Sequence, residues 1–185
     1  MVSLSALWLP ILLAAVIVFI ASSIIHMVLP YHKSSYRKLS DEDKVRAAIR
    51  ASNPSPGMYN FPFCTQKDLN SDEMKAKFTE GPVGHMIILP NGPVFLPKFL
   101  IQWFLFCVLV GIFVAYLAVH VVTPGAPYRH VFRVVGTTAF LAYGVGGLSN
   151  GIWKGHPWKM VLLEAFDGII YAALTAGTFG WRWPH

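Results

Sequence analysis

Residues 4–29 read LSALWLPILLAAVIVFIASSIIHMVL, twenty-six positions without an Asp, Glu, Lys or Arg. At about 1.5 Å of helix rise per residue, a bilayer core of roughly 30 Å needs about 20 apolar residues, so this stretch is long enough to span one. It lacks the basic leader, the short apolar run and the small-residue cleavage site of a secretory signal, and is expected to stay as an anchor. Three further stretches repeat the pattern. Residues 99–122 carry no formal charge, residues 134–153 are rich in glycine, and residues 160–181 contain two acids, Glu164 and Asp167. The predicted fold is therefore an all-α membrane protein of four transmembrane helices, with residues 30–98 forming an extramembrane loop subdomain between helices one and two.

Composition agrees with this assignment. Of 185 residues, 55% are hydrophobic and 13% charged, with a mean hydropathy of +0.51. A soluble domain would carry roughly a quarter charged residues. Trp8, Tyr31, Trp103, Tyr128, Trp153, Trp158, Trp181 and Trp183 fall near span ends, where amphipathic rings favour the headgroup level. The net charge of +6 follows membrane topology and calls for no nucleic-acid partner. Ten Lys or Arg lie between Pro30 and Lys98, and Lys33, Arg37 and Lys38 directly abut helix one. Lys154 and Lys159 lie on the same side, whereas Arg129, Arg133 and Arg182 are on the other. The positive-inside rule then puts both termini outside and the long loop in the cytoplasm. Cys64 in the loop and Cys107 within helix two argue against a structural disulfide.

The loop is long enough for a small subdomain but short for an independent core. Ser40 ahead of Asp41, Glu42 and Asp43 predicts a helix over about 41–52, capped by the Ser40 oxygen. Ser71-Asp72-Glu73 predicts another over about 72–80, ended by Gly81. Pro54, Pro56, Gly57 and Pro62 predict irregular chain, and Asn91-Gly92 a short hairpin within residues 85–96. No internal repeat or low-complexity tract is present.

Within the bilayer, small residues at i, i+4 mark faces where backbones approach. Gly168, Ala172, Ala176 and Gly180 form such a row in helix four, and extending it backwards reaches Glu164. Helix three offers Gly136, Gly144, Gly147 and Gly151, and helix two Gly111 and Ala115. A stack of helices two to four is expected, with helix one packed more loosely.

Polar side chains in lipid are costly and usually pair or serve a function. His26, Gln102, Ser149, Asn150, Glu164 and Asp167 come from all four helices and occupy one cytoplasmic-half layer by residue count. They either satisfy one another or form a small polar pocket for a proton or ligand. His26, or His120 with His130, offers haem or chlorophyll ligation as an alternative. His32, Cys64 and His85 lack the paired short spacing of zinc sites, so no metal set is assigned. No phosphate loop, zinc-protease motif or nucleophile elbow occurs.

The stretch Trp153-Lys154-Gly155-His156-Pro157-Trp158-Lys159, then 164–168 and the small-residue row to Trp181, resembles an uncharacterised family of four-helix bacterial membrane proteins, a domain of unknown function. His26-Met27-Val28-Leu29-Pro30-Tyr31-His32-Lys33-Ser34 is similar to the same group. The resemblance implies a fold and a bacterial inner-membrane location, and no activity. Three functions follow as expectations. The first is an accessory subunit of a larger respiratory or photosynthetic membrane assembly, with other membrane subunits as partners. The second is a small-molecule or proton transporter or binding protein, disfavoured by the lack of inverted repeats or broken helices. The third is a haem- or chlorophyll-binding protein. No enzyme chemistry is indicated.

Overall fold

The structure is a computed structural model and describes residues 2–184, apart from the Ser34 side chain. The protein is mostly helical, and four helices are long and apolar enough to cross a membrane. These are Leu4–Met27, Leu96–Val121, Tyr128–Trp153 and Trp158–Trp181. The chain divides into two compact units, residues 1–35 with 95–185, and residues 36–94.

In the first unit, a 3-10 turn at Leu4–Leu7 leads into α1, Trp8–Met27, and a second 3-10 turn follows at Pro30–Ser35. Helix α4 spans Leu96–Val121, with Pro97 in its first turn, where a missing N–H costs nothing. The third span is two helices, α5 at Tyr128–Tyr143 and α6 at Leu148–Trp153, joined through a 3-10 segment Val145–Gly147. Helix α7 covers Trp158–Trp181.

Two differences from the sequence reading have plain causes. The third long helix begins at Tyr128 instead of about 134, because the helix extends through the polar turns that carry Arg129, His130 and Arg133, where apolar content alone gives no helix signal. It is also broken, because Gly144, Gly146 and Gly147 supply little helix propensity over four residues.

Packing order also differs from the expected stack. Helix α1 packs against both α4 and α7, α5 packs against α4 and most extensively against α7, and α4 and α7 sit diagonally across the bundle. Helix one is thus a full member of the core. Leu7, Val18, Val114, Val131, Val135 and Phe179 are fully buried between the helices. The outer surface carries exposed large apolar side chains, Ile20, Leu105, Phe113 and Phe166 among them.

The α5–α7 seam is the closest. A Cβ placed on Gly168 would lie 2.5 Å from the Cα of Gly144, so the two backbones touch directly. At Gly180 a Cβ would meet the Tyr128 ring at 2.6 Å, and at Gly136 the Ala176 methyl at 3.3 Å. Ala172 and Ala176 are buried along the same row. Gly151 faces Val161 and Trp158, whereas Gly147 has open space beside it and marks the helix break in place of a contact. Gly111 of α4 does face a helix, but it is α1, through Ile11, and Ala115 is fully buried in the core.

The second unit contains α2 at Glu42–Ala51, β1 at Gly57–Phe61, α3 at Asp72–Glu80 and β2 at Gly84–Ile88. Asp41, and not Ser40, is the residue ahead of α2; its carboxylate turns to Lys44 at 2.6 Å and no side chain caps the helix. Ser71 accepts from the Met74 N–H at 3.2 Å, and Gly81 ends α3 at φ 67°, a left-handed value open to glycine. The expected hairpin at Asn91-Gly92 is replaced by an antiparallel pair of β1 with β2, from Gly57 opposite Ile88 to Phe61 opposite Gly84. Pro90 and Pro93 cannot donate to a ladder, while the run from Gly57 to Phe61 presents five donors before Pro62 interrupts it.

Candidate functional site

Helix α7 presents two different faces. One is the small-residue row against α5. The other, toward α1, carries Asp167 and Tyr171. The Asp167 side chain is only 3% exposed. It stands nine residues into α7, about 14 Å along the axis from the helix start. A lone carboxylate at such a position would be strongly disfavoured, so its partners explain the local fold.

Those partners come from the end of α1 and the turn that follows it. The Tyr31 hydroxyl donates to Oδ1 at 2.5 Å, and His32 Nε2 donates to Oδ2 at 2.7 Å. His26 Nε2 lies 3.7 Å from Oδ2 and 3.4 Å from the Tyr171 hydroxyl. The His26 and His32 rings stand 4.5 Å apart by centroid, and Tyr31 lies 4.5 Å from His32. Helix α1 ends at Met27, one residue past His26, whose imidazole reaches Asp167. The 3-10 turn Pro30–Ser35 then packs against α7 in place of running straight out. Pro30 opens that turn at a position where its fixed φ is favoured.

Burial, and then the bond to Asp167, push the Tyr31 phenol up to about 12, so it remains a proton donor throughout the physiological range. Beneath the cluster lies an aromatic layer. The Trp103 indole N–H donates to Ser22 Oγ at 2.7 Å, tying α4 to α1, and the Trp103, Tyr143 and Tyr171 rings meet edge to face or tilted. Beside it, a cavity of about 340 Å³ between α1 and α4 is lined by Ser22, Ser23, His26, Phe99, Leu100 and Trp103. His26, with 49% of its side chain exposed, is thus reachable from outside the cluster, whereas His32 at 14% is largely enclosed.

The remaining polar residues of the expected layer are placed differently. Glu164 is half-buried one turn before Asp167 and close enough to act on His26 electrostatically. Gln102 is exposed on the outside of α4. The Asn150 carbonyl accepts from the Lys154 and His156 N–H groups and closes the end of α6. His120 is exposed and donates Nδ1–H to the Tyr116 carbonyl at 2.6 Å, and His130 is exposed on α5.

Tyr31 and His32 are the site residues that sequence reasoning missed. Both follow the apolar run and read as belt and loop, because residue count assumes that a helix ends at the bilayer surface. The available signal was Pro30-Tyr31-His32 directly after His26, polar and aromatic groups crowded against a span end. His26, His32 and Asp167 also bring three ligand-type atoms within 4.8 Å of one another. Short-spacing rules cannot detect this set, since its members come from a helix, a turn and a helix more than 130 residues away. Comparison with protein-family models, with curated proteins and with solved structures finds no match for this chain.

Proposed function

We propose that this protein is a multi-pass membrane protein that binds a small polar ligand at the Asp167 cluster. One observation carries the reading: a buried carboxylate in a membrane-crossing helix is met by three polar side chains, Tyr31, His32 and His26, gathered from a segment that turns back to reach it. A structural role alone would be met by one or two such partners. Here two imidazoles converge on the same oxygen, and one of them is open to a neighbouring cavity. The broken third span beside Gly168 adds to the reading, because interrupted helices at polar sites are common in membrane proteins that bind or move solutes. The basic residues at 33, 37 and 38 support a cytoplasmic position for the site and for residues 36–94, with a bacterial inner membrane as the setting.

The test is a thermal-stability screen of the purified full chain in mild detergent, against metal cations, organic anions and organic amines. One class is expected to raise the unfolding temperature of the wild type and to leave Asp167→Asn unmoved, since binding to the folded state alone stabilises it. If no class separates the two proteins, the binding reading fails.

The separate unit of residues 36–94 favours a second reading, an accessory subunit of a larger membrane assembly. Its surface exposes Phe63, Ile87, Leu89 and Val94, apolar side chains suited to a protein partner. Native purification with mass spectrometry tests this. A partner at fixed stoichiometry supports it, and a lone chain or homo-oligomer removes it.

A further inference from the structure

We infer that the ligand of this cluster is a divalent first-row metal ion of the zinc class, held by His26, His32 and Asp167; this rests on the binding reading above. Two imidazoles and one carboxylate form the ligand set of open zinc sites and of the facial triad that holds ferrous iron. Imidazole nitrogen selects such ions over magnesium and calcium, which take oxygen ligands.

Geometry supports the assignment. Bonds of about 2.0–2.2 Å in a tetrahedron require ligand atoms about 3.3 Å apart. The distances from His26 and His32 Nε2 to Asp167 Oδ2, 3.7 and 2.7 Å, lie on either side of that value. All three ligand atoms fall within 4.8 Å of one another, so side-chain rotations suffice to close around an ion.

The surroundings fit as well. Tyr31 occupies Oδ1 and leaves Oδ2 to the metal, the kind of outer hydrogen bond that orients a ligating carboxylate. Among the described residues, the polar contacts of His26 Nε2 are at 3.4 Å to Tyr171 and 3.7 Å to Asp167, long for hydrogen bonds. A divalent ion uses both imidazoles in their neutral form. The proton now on His32 Nε2 then leaves to solvent or resides on Nδ1, so binding releases protons or shifts the tautomer. Three protein ligands would leave a fourth position of a tetrahedral ion for water or another ligand. An open position suits an exchangeable or reactive ion, in contrast to the closed four-ligand sites of structural zinc.

The experiment titrates the tag-free full chain, stripped with a chelator in mild detergent, with Zn²⁺ against a chromogenic competitor. One equivalent per chain is expected. His32→Ala and Asp167→Asn should each weaken binding by about a hundredfold or more, and Tyr31→Phe by about ten- to a hundredfold as an outer-shell change. His130→Ala, distant from the cluster, should leave it unchanged. Co²⁺ in place of Zn²⁺ should give the visible absorption of a nitrogen- and oxygen-ligated ion, and His26→Ala should lose it. Because His26 is half exposed, that variant keeps the fold, and an unchanged melting temperature in metal-free buffer verifies it. Stoichiometric Zn²⁺ that persists in His32→Ala and Asp167→Asn overturns the proposal, as does a wild type that binds none. If the wild type binds no metal but another ligand still stabilises it and not Asp167→Asn, the metal assignment falls and the binding site stands. If neither occurs, both fall.

Discussion

The two faces of α7 are built on opposite principles. Toward α5, Gly168, Ala172, Ala176 and Gly180 remove side chain so that backbones can touch, and no charge takes part. Toward α1, Asp167 and Tyr171 place polar groups inside the bundle, and the chain after α1 folds inward to satisfy them. Lipid provides no hydrophobic drive between helices, so association must come from close contact or from hydrogen bonds. This helix uses one on each side, and the adjacent residues 167 and 168 belong to different faces. The contact face fixes where α7 sits, while the polar face gives it something to bind.

That contrast can be broken from either side. The largest effect is expected at Gly168→Ala, whose new methyl would lie 2.5 Å from Gly144 Cα. Backbone cannot yield as a side chain can, so a loss of about 3 kcal/mol or more is expected in detergent unfolding. A wild-type-like melting temperature would contradict the seam. Next, Asp167→Ala leaves the Tyr31 and His32 donors without their acceptor and should cost about 2–3 kcal/mol, visible as a lower unfolding temperature. A stabilised variant would show that the polar face is a burden carried without local compensation. Tyr31→Phe removes one charge-assisted hydrogen bond and keeps the ring, for an expected loss of about 1.5–2 kcal/mol in the same assay. The smallest effect belongs to Gly147→Ala. Its φ of −69° suits any residue and nothing lies within 4 Å, so stability should hold or rise by about 0.5 kcal/mol. A large loss there would mean that the helix break makes a contact of its own.

The same contrast separates what sequence could and could not reveal. The small-residue row is periodic along one helix, and periodicity is local information, so Gly168 and Gly180 could be read directly. Asp167 and His26 were readable as intramembrane polar groups, because lipid makes any such group conspicuous. Their meeting with Tyr31 and His32 was not, since it depends on where α1 ends relative to α7, which only the packed bundle decides. Gln102 shows the reverse error. Residue count assigns a depth, yet depth says nothing of the direction in which a side chain points, and Gln102 is exposed. The break at Gly144–Gly147 is legible only as glycine-rich chain, and composition does not separate Gly144, which packs against Gly168, from Gly147, which faces open space. In the residues between the spans, the start at Asp72 follows local capping by Ser71 and the start at Glu42 follows first-turn acids alone, while the β1–β2 pair joins segments more than twenty residues apart.

The central claim is that the chain after α1 folds back and engages α7 through Asp167. A double-mutant cycle of Tyr31→Phe with Asp167→Ala, read by equilibrium unfolding of the full chain in metal-free detergent, tests it most directly. Direct contact predicts a coupling energy of about 1.5 kcal/mol or more, with the double variant losing less than the sum of the single losses. Additivity within about 0.5 kcal/mol would place Tyr31 away from Asp167 and contradict the account.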